Sequence, residues 1–137
     1  MNTLFKVSAK NHAGMILISI LAEEGLSEDY VSLKDIADKM HLSKKFLEEI
    51  AAALKKAGLV SGRKGPGGGY KLAKDPKDIS AYEILTALEG QFVTVSCEGG
   101  LCPVAEHCAS KKLWGFLFRD LIESLKKTSL HQISGLN

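Results

Sequence analysis

The chain has 137 residues, 45% of them hydrophobic and 25% charged, which is one domain's worth of sequence with enough apolar matter to bury a core without disulfide staples. The net charge of +2 singles out no partner by itself. Its distribution does: residues 31–75 carry ten Lys/Arg against five Asp/Glu, a local +5, and the remainder sums to −3, so a basic module lies inside a nearly neutral chain and fits a local nucleic-acid footprint.

A first helix is predicted over residues 10–24, with Gly25 as its stop. Its run Met15, Ile16, Leu17, Ile18, Ile20, Leu21 is apolar nearly all round, as a buried helix requires. The same run is too short to cross a bilayer and lacks a secretory cleavage pattern, so the expected compartment is the cytoplasm, with no membrane partner. Ser32 followed by Asp35 reads as a capping box opening a short helix to Met40, and His41-Leu42 as a tight connection. Ser43 then caps a longer helix that ends before Gly58. On it Phe46, Leu47, Ile50, Leu54 and Ala57 recur at helical spacing and are expected to face the core. Lys44, Lys45, Glu48, Glu49, Ala52 and Lys56 are left outside. Two closely joined helices, the second amphipathic with a polar outer face, have the geometry of a helix-turn-helix.

Next, Leu59-Val60-Ser61 and Tyr70-Lys71-Leu72 flank the glycine-rich, doubly basic stretch from Gly62 to Gly69, which predicts a β-hairpin. Glycine lets the backbone approach a phosphate closely, and Arg63 and Lys64 at the tip can reach phosphates or a minor groove. A hairpin placed directly after the second helix is a wing. The competing reading, a nucleotide phosphate loop, fits less well, since no Gly-Lys-Ser/Thr follows and no helix starts there.

Residues 75–80, with Pro76, form a connector, and a further helix over 81–89 ends at Gly90. A last helix over 110–128 carries Leu113, Trp114, Leu117, Phe118, Leu121, Ile122 and Leu125, a double-width apolar stripe. One side of it is expected on the protein's own core and the other on a second subunit, the alternative being a helix buried within the monomer. The expected organisation is a winged helix-turn-helix over 1–90, a cysteine-rich loop over 91–109, and a dimerisation helix with tail over 110–137. The fold class is thus mainly α with a small β-hairpin wing.

The loop reads Cys97-Glu-Gly-Gly-Leu-Cys102-Pro-Val-Ala-Glu-His-Cys108. An odd number of cysteines in one short stretch is not a disulfide framework. Spacers of four and five residues exceed the two-residue knuckle usual for zinc. Gly99, Gly100 and Pro103 allow the backbone to wrap a larger group, and thiolates are the ligands that hold iron–sulfur clusters. On the residues alone a cluster, a zinc site and free or redox-active thiols all stay open.

Taken together, Ile36-Ala37, Phe46-Leu47, Leu54, Ala57-Gly58-Leu59-Val60, Gly65-Pro66-Gly67-Gly68-Gly69-Tyr70, Leu72-Ala73 and Leu88-Glu89-Gly90 resemble the bacterial Rrf-type winged-helix regulators, the IscR/NsrR/CymR-like group, over nearly the whole chain. The resemblance implies a homodimeric repressor or activator that binds double-stranded DNA at paired half-sites. It also implies that Cys97, Cys102 and Cys108 ligate an iron–sulfur cluster, with a 2Fe–2S centre expected ahead of 4Fe–4S. Two departures stand out. The first spacer has four residues where cluster-binding members usually have five, and Lys111 occupies the place of the histidine that the IscR type supplies after its last cysteine.

A fourth ligand must then come from elsewhere, and His12, from the partner subunit, is the candidate, matching in register an N-terminal acidic ligand of the NsrR type; the alternative is that His12 caps its helix or touches a DNA phosphate. His107, adjacent to Cys108, is sterically awkward as a rival. The candidate DNA contacts are Ser43, Lys44, Lys45 and Glu49 at the start of the second helix, Arg63, Lys64 and Gly65 at the wing, and Lys10 on the first helix. The expected function is redox, nitric-oxide or iron–sulfur sensing coupled to DNA affinity. The alternative is a cluster-free regulator that uses the cysteines as thiol switches or a zinc site. No paired carboxylates, nucleophile–base arrangement or cofactor fingerprint points to an enzyme or to a small-molecule substrate.

Overall fold

The computed structural model describes residues 7–24, 29–90 and 107–135. In chain order its elements are α1 (Ala9–Glu24), α2 (Leu33–Met40), α3 (Lys44–Lys56), β1 (Val60–Arg63), β2 (Gly69–Leu72), a 3-10 turn (Pro76–Asp78), α4 (Ala81–Glu89), α5 (Ala109–Lys127) and α6 (Leu130–Ile133). Gly25, expected to stop the first helix, lies outside the described residues, as does most of the cysteine loop.

α1 is apolar on several sides because it is the central helix: it packs against α3, α4, α6 and β2. Leu17, Ile18 and Leu21 of α1 meet Leu47, Ile50 and Leu54 of α3, Ile84 and Leu88 of α4, and Leu130 of α6 in one buried cluster. Each such side chain contributes about 1.5–3 kcal/mol through removal from water. α1 and α4 approach closely at Gly14, where a Cβ would overlap the Leu88 side chain.

The helix ends follow from specific residues. The Ser43 hydroxyl accepts from Phe46 N–H at 3.1 Å and starts α3. α3 closes when Gly58, at φ 80°, donates to Lys55 O (3.0 Å) and Leu59 donates to Leu54 O (3.0 Å), a Schellman motif. Leu59 thereby takes the core position, and Ala57, expected to face the core, is the exposed C-cap instead. α4 begins with a reciprocal box between Ser80 and Glu83.

The box expected at Ser32 and Asp35 does not form: Ser32 is the N-cap of α2 but its side chain makes no capping bond. Aspartate is one methylene shorter than the Glu or Gln that reaches back in such a box, and both boxes that do form have the longer residue, Glu83 and Gln132.

The hairpin pairs Val60 with Leu72, Ser61 with Lys71, Gly62 with Tyr70 and Arg63 with Gly69. Arg63, expected at the tip, is therefore the last residue of β1, and Lys64 opens the turn. Val31 adds a short edge to the hairpin, donating to Tyr70 O (2.8 Å) and accepting from Tyr70 N–H (2.9 Å).

α5 lies along α4, and none of its residues is buried. Of its stripe, Trp114, Phe118, Ile122 and Leu125 are half-buried and Leu113, Leu117 and Leu121 are exposed; Phe116, outside the stripe, is exposed as well, and these four range from 44 to 55%. After Thr128 the chain returns to the winged domain, a turn the sequence reading did not include. Ala81 N–H donates to Thr128 O and Leu130 N–H donates to Ile79 O, both at 2.8 Å, and Leu130 is fully buried.

Candidate nucleic-acid interface

The wing and the start of α3 enclose an open cleft of about 520 Å³. α2 contributes Ser32, Leu33 and Lys34, α3 contributes Lys44 and Glu48, and the hairpin contributes Arg63, Lys64 and Gly65. Four cations from three elements thus converge on one concave surface. A concave array of this kind suits a chain of phosphates, whose charges lie at regular intervals.

Local chemistry fixes the shape. Gly65 and Gly67 have φ of 90° and 75°, and Gly68 donates to Gly65 O at 2.9 Å to close the turn. A Cβ on Gly68 would overlap the Arg63 carbonyl. Only glycine makes a turn this tight, which keeps Arg63 and Lys64 next to each other on the rim.

Of the expected DNA contacts, Lys44, Arg63, Lys64 and Gly65 line the cleft together. Ser43 lies one residue away at the N-cap; its oxygen is used by Phe46 N–H, and its own O–H is left to donate. Lys45 and Glu49 are exposed on α3 but do not line the cleft, and Lys10 is in the first turn of α1, apart from it. The sequence reading missed Lys34 and Glu48. Glu48 stands one turn after Lys44 and pairs with it at 3.9 Å, so the i,i+4 spacing was the available signal. Two further contacts it missed are those of Lys71 and Arg63 with the Tyr30 ring, 4.8 and 6.0 Å from its centroid.

Of the expected metal ligands, Cys97 and Cys102 lie outside the described residues. Cys108 is half-buried at the N-cap of α5, where its Sγ accepts from Lys111 N–H at 3.4 Å. That contact is an N-cap bond, and three cysteine thiolates are by their chemistry a donor set of the kind that holds iron–sulfur groups. His12 is exposed and lines a separate apolar cleft of about 340 Å³ with Ile16, Met40, Leu42 and Phe46. Asn11, the residue before His12 on α1, has a buried Oδ1 with no hydrogen-bond partner among the described residues. Among the described residues no three His, Cys, Asp or Glu side chains come together as a metal site, and no helix is long and apolar enough to cross a membrane.

A closely joined helix pair followed at once by a glycine-built hairpin, with the cations of both on one cleft, defines a winged helix-turn-helix. Residues 7–135 match the Rrf2 family, described as "Iron-dependent Transcriptional regulator", and the chain belongs to that family. It is 32% identical over 127 residues to Protein rrf2 of Nitratidesulfovibrio vulgaris, covering 91% of this chain and 84% of that one. It is 38% identical over 96 residues to the HTH-type transcriptional regulator IscR of Klebsiella pneumoniae; the match covers 69% of this chain and spans 56% of that protein. Its fold superimposes on CymR, the global cysteine regulator of B. subtilis, with a TM-score of 0.79 and 32% identity over 96% of this chain and 97% of the other. The protein is accordingly a transcriptional regulator and not an enzyme.

Proposed function

We propose that the protein is a cytoplasmic homodimeric repressor or activator whose affinity for an operator with paired half-sites is set by an iron–sulfur cluster on Cys97, Cys102 and Cys108. The observation that carries the DNA-binding part is the convergence of Lys34, Lys44, Arg63 and Lys64 on one cleft. In that reading the lysines and Arg63 contact phosphate, Ser43 donates to the backbone, and Glu48 or Glu49 accepts from a base edge or excludes wrong bases. Lys10 and Lys45 would contact flanking phosphates. The exposed row Leu113, Phe116, Leu117 and Leu121 is the face that a second copy would cover.

The cluster part is supported by the three cysteines and the family description. When bound, the group would supply an iron centre sensitive to redox state or small ligands, with His12 reaching it across the dimer. The chain's own residues would carry the response. Cys108 starts α5, α5 lies along α4, and the N–H at the start of α4 is bonded to Thr128 just beyond the other end of α5. A change at the cysteine end therefore has a packed route to the winged domain.

Anaerobic purification, iron and sulfide assays and binding to fragments of the source genome test both parts. A brown protein with stoichiometric iron and sulfide, retaining specific fragments, is expected. Cys108→Ser should lose the iron while keeping α5, since serine is itself a good N-cap. An unchanged visible spectrum for His12→Ala would remove His12 from the ligand set, and His107→Ala serves as its control. A colourless wild type that still binds DNA would favour a second reading, a cluster-free regulator with thiol switches or a zinc site, to which the likeness to CymR gives weight. No retained fragment would overturn DNA binding itself.

A further inference from the structure

We infer that Tyr30 is a positioning residue for DNA binding, its ring holding Arg63 and Lys71 as an ordered pair of cations on the outer face of the wing. The inference rests on the DNA-binding reading above and deepens it.

The placement follows from register. Val31 pairs with Tyr70, so in the antiparallel continuation Tyr30 stands across from Lys71. Ser61 is opposite Lys71 and Arg63 opposite Gly69, and side chains alternate along each strand, so Ser61, Arg63, Gly69 and Lys71 share one face. Tyr70 is on the other face, where its ring covers Gly62. Gly69 has no side chain to separate Tyr30 from the cations. The Lys71 ammonium lies 4.8 Å and the Arg63 guanidinium carbon 6.0 Å from the centre of the Tyr30 ring.

Two like charges on one ring repel each other, and among the described residues neither Arg63 nor Lys71 is paired with a carboxylate. The ring's negative face is what keeps them together. Arg63 also lines the cleft beside Lys44 and Lys64, so Lys71 extends the row of cations beyond the cleft. The ring thus orders two long side chains before any ligand arrives, which lowers the entropy lost on binding. An incoming phosphate would then neutralise a pair that is unneutralised in the free protein. Arg63 and Lys71, rather than the tip alone, become backbone contacts, and Tyr30 sets their position without touching the duplex.

The test uses the full chain, a mixed-sequence duplex of about three helical turns, and fluorescence anisotropy over a range of salt concentrations. Tyr30→Phe should bind as the wild type does. Tyr30→Leu, which keeps an apolar side chain and the main-chain bridge of Val31, should bind about two- to five-fold more weakly, with the chain still folded and Tm lowered by only a few degrees. In a background carrying Arg63→Ala and Lys71→Ala, Tyr30→Leu should cause no further loss. Unchanged binding by Tyr30→Leu, an equal loss in Tyr30→Phe, or an undiminished loss in the double-alanine background would each overturn the assignment. Failure of the wild type to bind the duplex with a salt dependence would instead overturn the DNA-binding reading, and this one with it.

Discussion

The Val31 carbonyl lies so close to the α-carbon of Gly69 that no side chain fits between them. A Cβ on residue 69 would overlap that carbonyl, and Gly69 holds a φ of 142°. The contact belongs to the two-bond bridge between Val31 and Tyr70, which ties the root of the wing to the strand entering α2. The position of the wing relative to the helix pair is therefore set here and not at the tip.

Gly69→Ala should accordingly destabilise the protein by about 1–3 kcal/mol through backbone strain, with displacement of Val31 added to it. Gly67 is the natural comparison: its φ is 75°, but a Cβ there meets nothing within 4 Å. Gly67→Ala should cost only the left-handed strain, about 1–2 kcal/mol. Thermal unfolding of the two variants measures the difference, and equal losses would show that the Val31 contact does not hold the wing.

Leu130 closes the core from beyond the long helix, fully buried although only four residues of α6 accompany it. Leu130→Ala should lower stability by about 2–5 kcal/mol, as expected for a truncated core leucine. Ile133 of the same short helix is 45% exposed, and Ile133→Ala should cost under about 0.5 kcal/mol. Urea denaturation of both variants distinguishes a tail that completes the core from one that merely lies on it.

The parts of this fold legible in the sequence are those where a single residue decides. Ser80 and Gly90 bound α4 at the residues expected, and Ser43 and Gly58 bracket α3. The spacing of apolar residues on α5 separates the half-buried Trp114, Phe118, Ile122 and Leu125 from the exposed Leu113, Leu117 and Leu121, but not Phe116. The misses have physical causes. Ser32 and Asp35 have the box pattern with an acid too short to close it. Glycine-rich sequence does not show where pairing stops, so it places Arg63 at the tip, whereas pairing runs on to Gly69. α6 is not legible although Ser129 and Gln132 carry a complete box, because four residues are too few to show a period. In the cleft, Lys44, Arg63 and Lys64 were found from charge and spacing. Lys34 was not, since nothing local places the start of α2 beside the wing; the Val31–Tyr70 bridge does so, and it is a contact between distant residues.

The exposed row on α5 gives a direct test of self-association. Leu117→Glu together with Leu121→Glu puts two charges on a face that contributes nothing to the chain's own core. Far-UV circular dichroism and Tm of the isolated subunit should change little. Sedimentation should move from dimer to monomer, because burying unpaired carboxylates in an apolar interface is costly. A dimer that survives both changes would place the interface elsewhere.

Lys64 opens the turn of the wing, exposed and without an ion pair among the described residues, on the rim that it shares with Arg63 and Gly65. A side chain placed in this way contributes charge to a phosphate backbone and little to base recognition. Lys64→Ala should therefore weaken binding to operator and to unrelated duplex by a similar factor, and flatten the plot of log K against log salt by about one phosphate contact. A loss confined to the operator would instead mean that Lys64 reads a base edge, and the wing would then be a specificity element. Unchanged affinity for both duplexes would remove the wing from the interface altogether and leave the cleft without the partner its shape and charge imply.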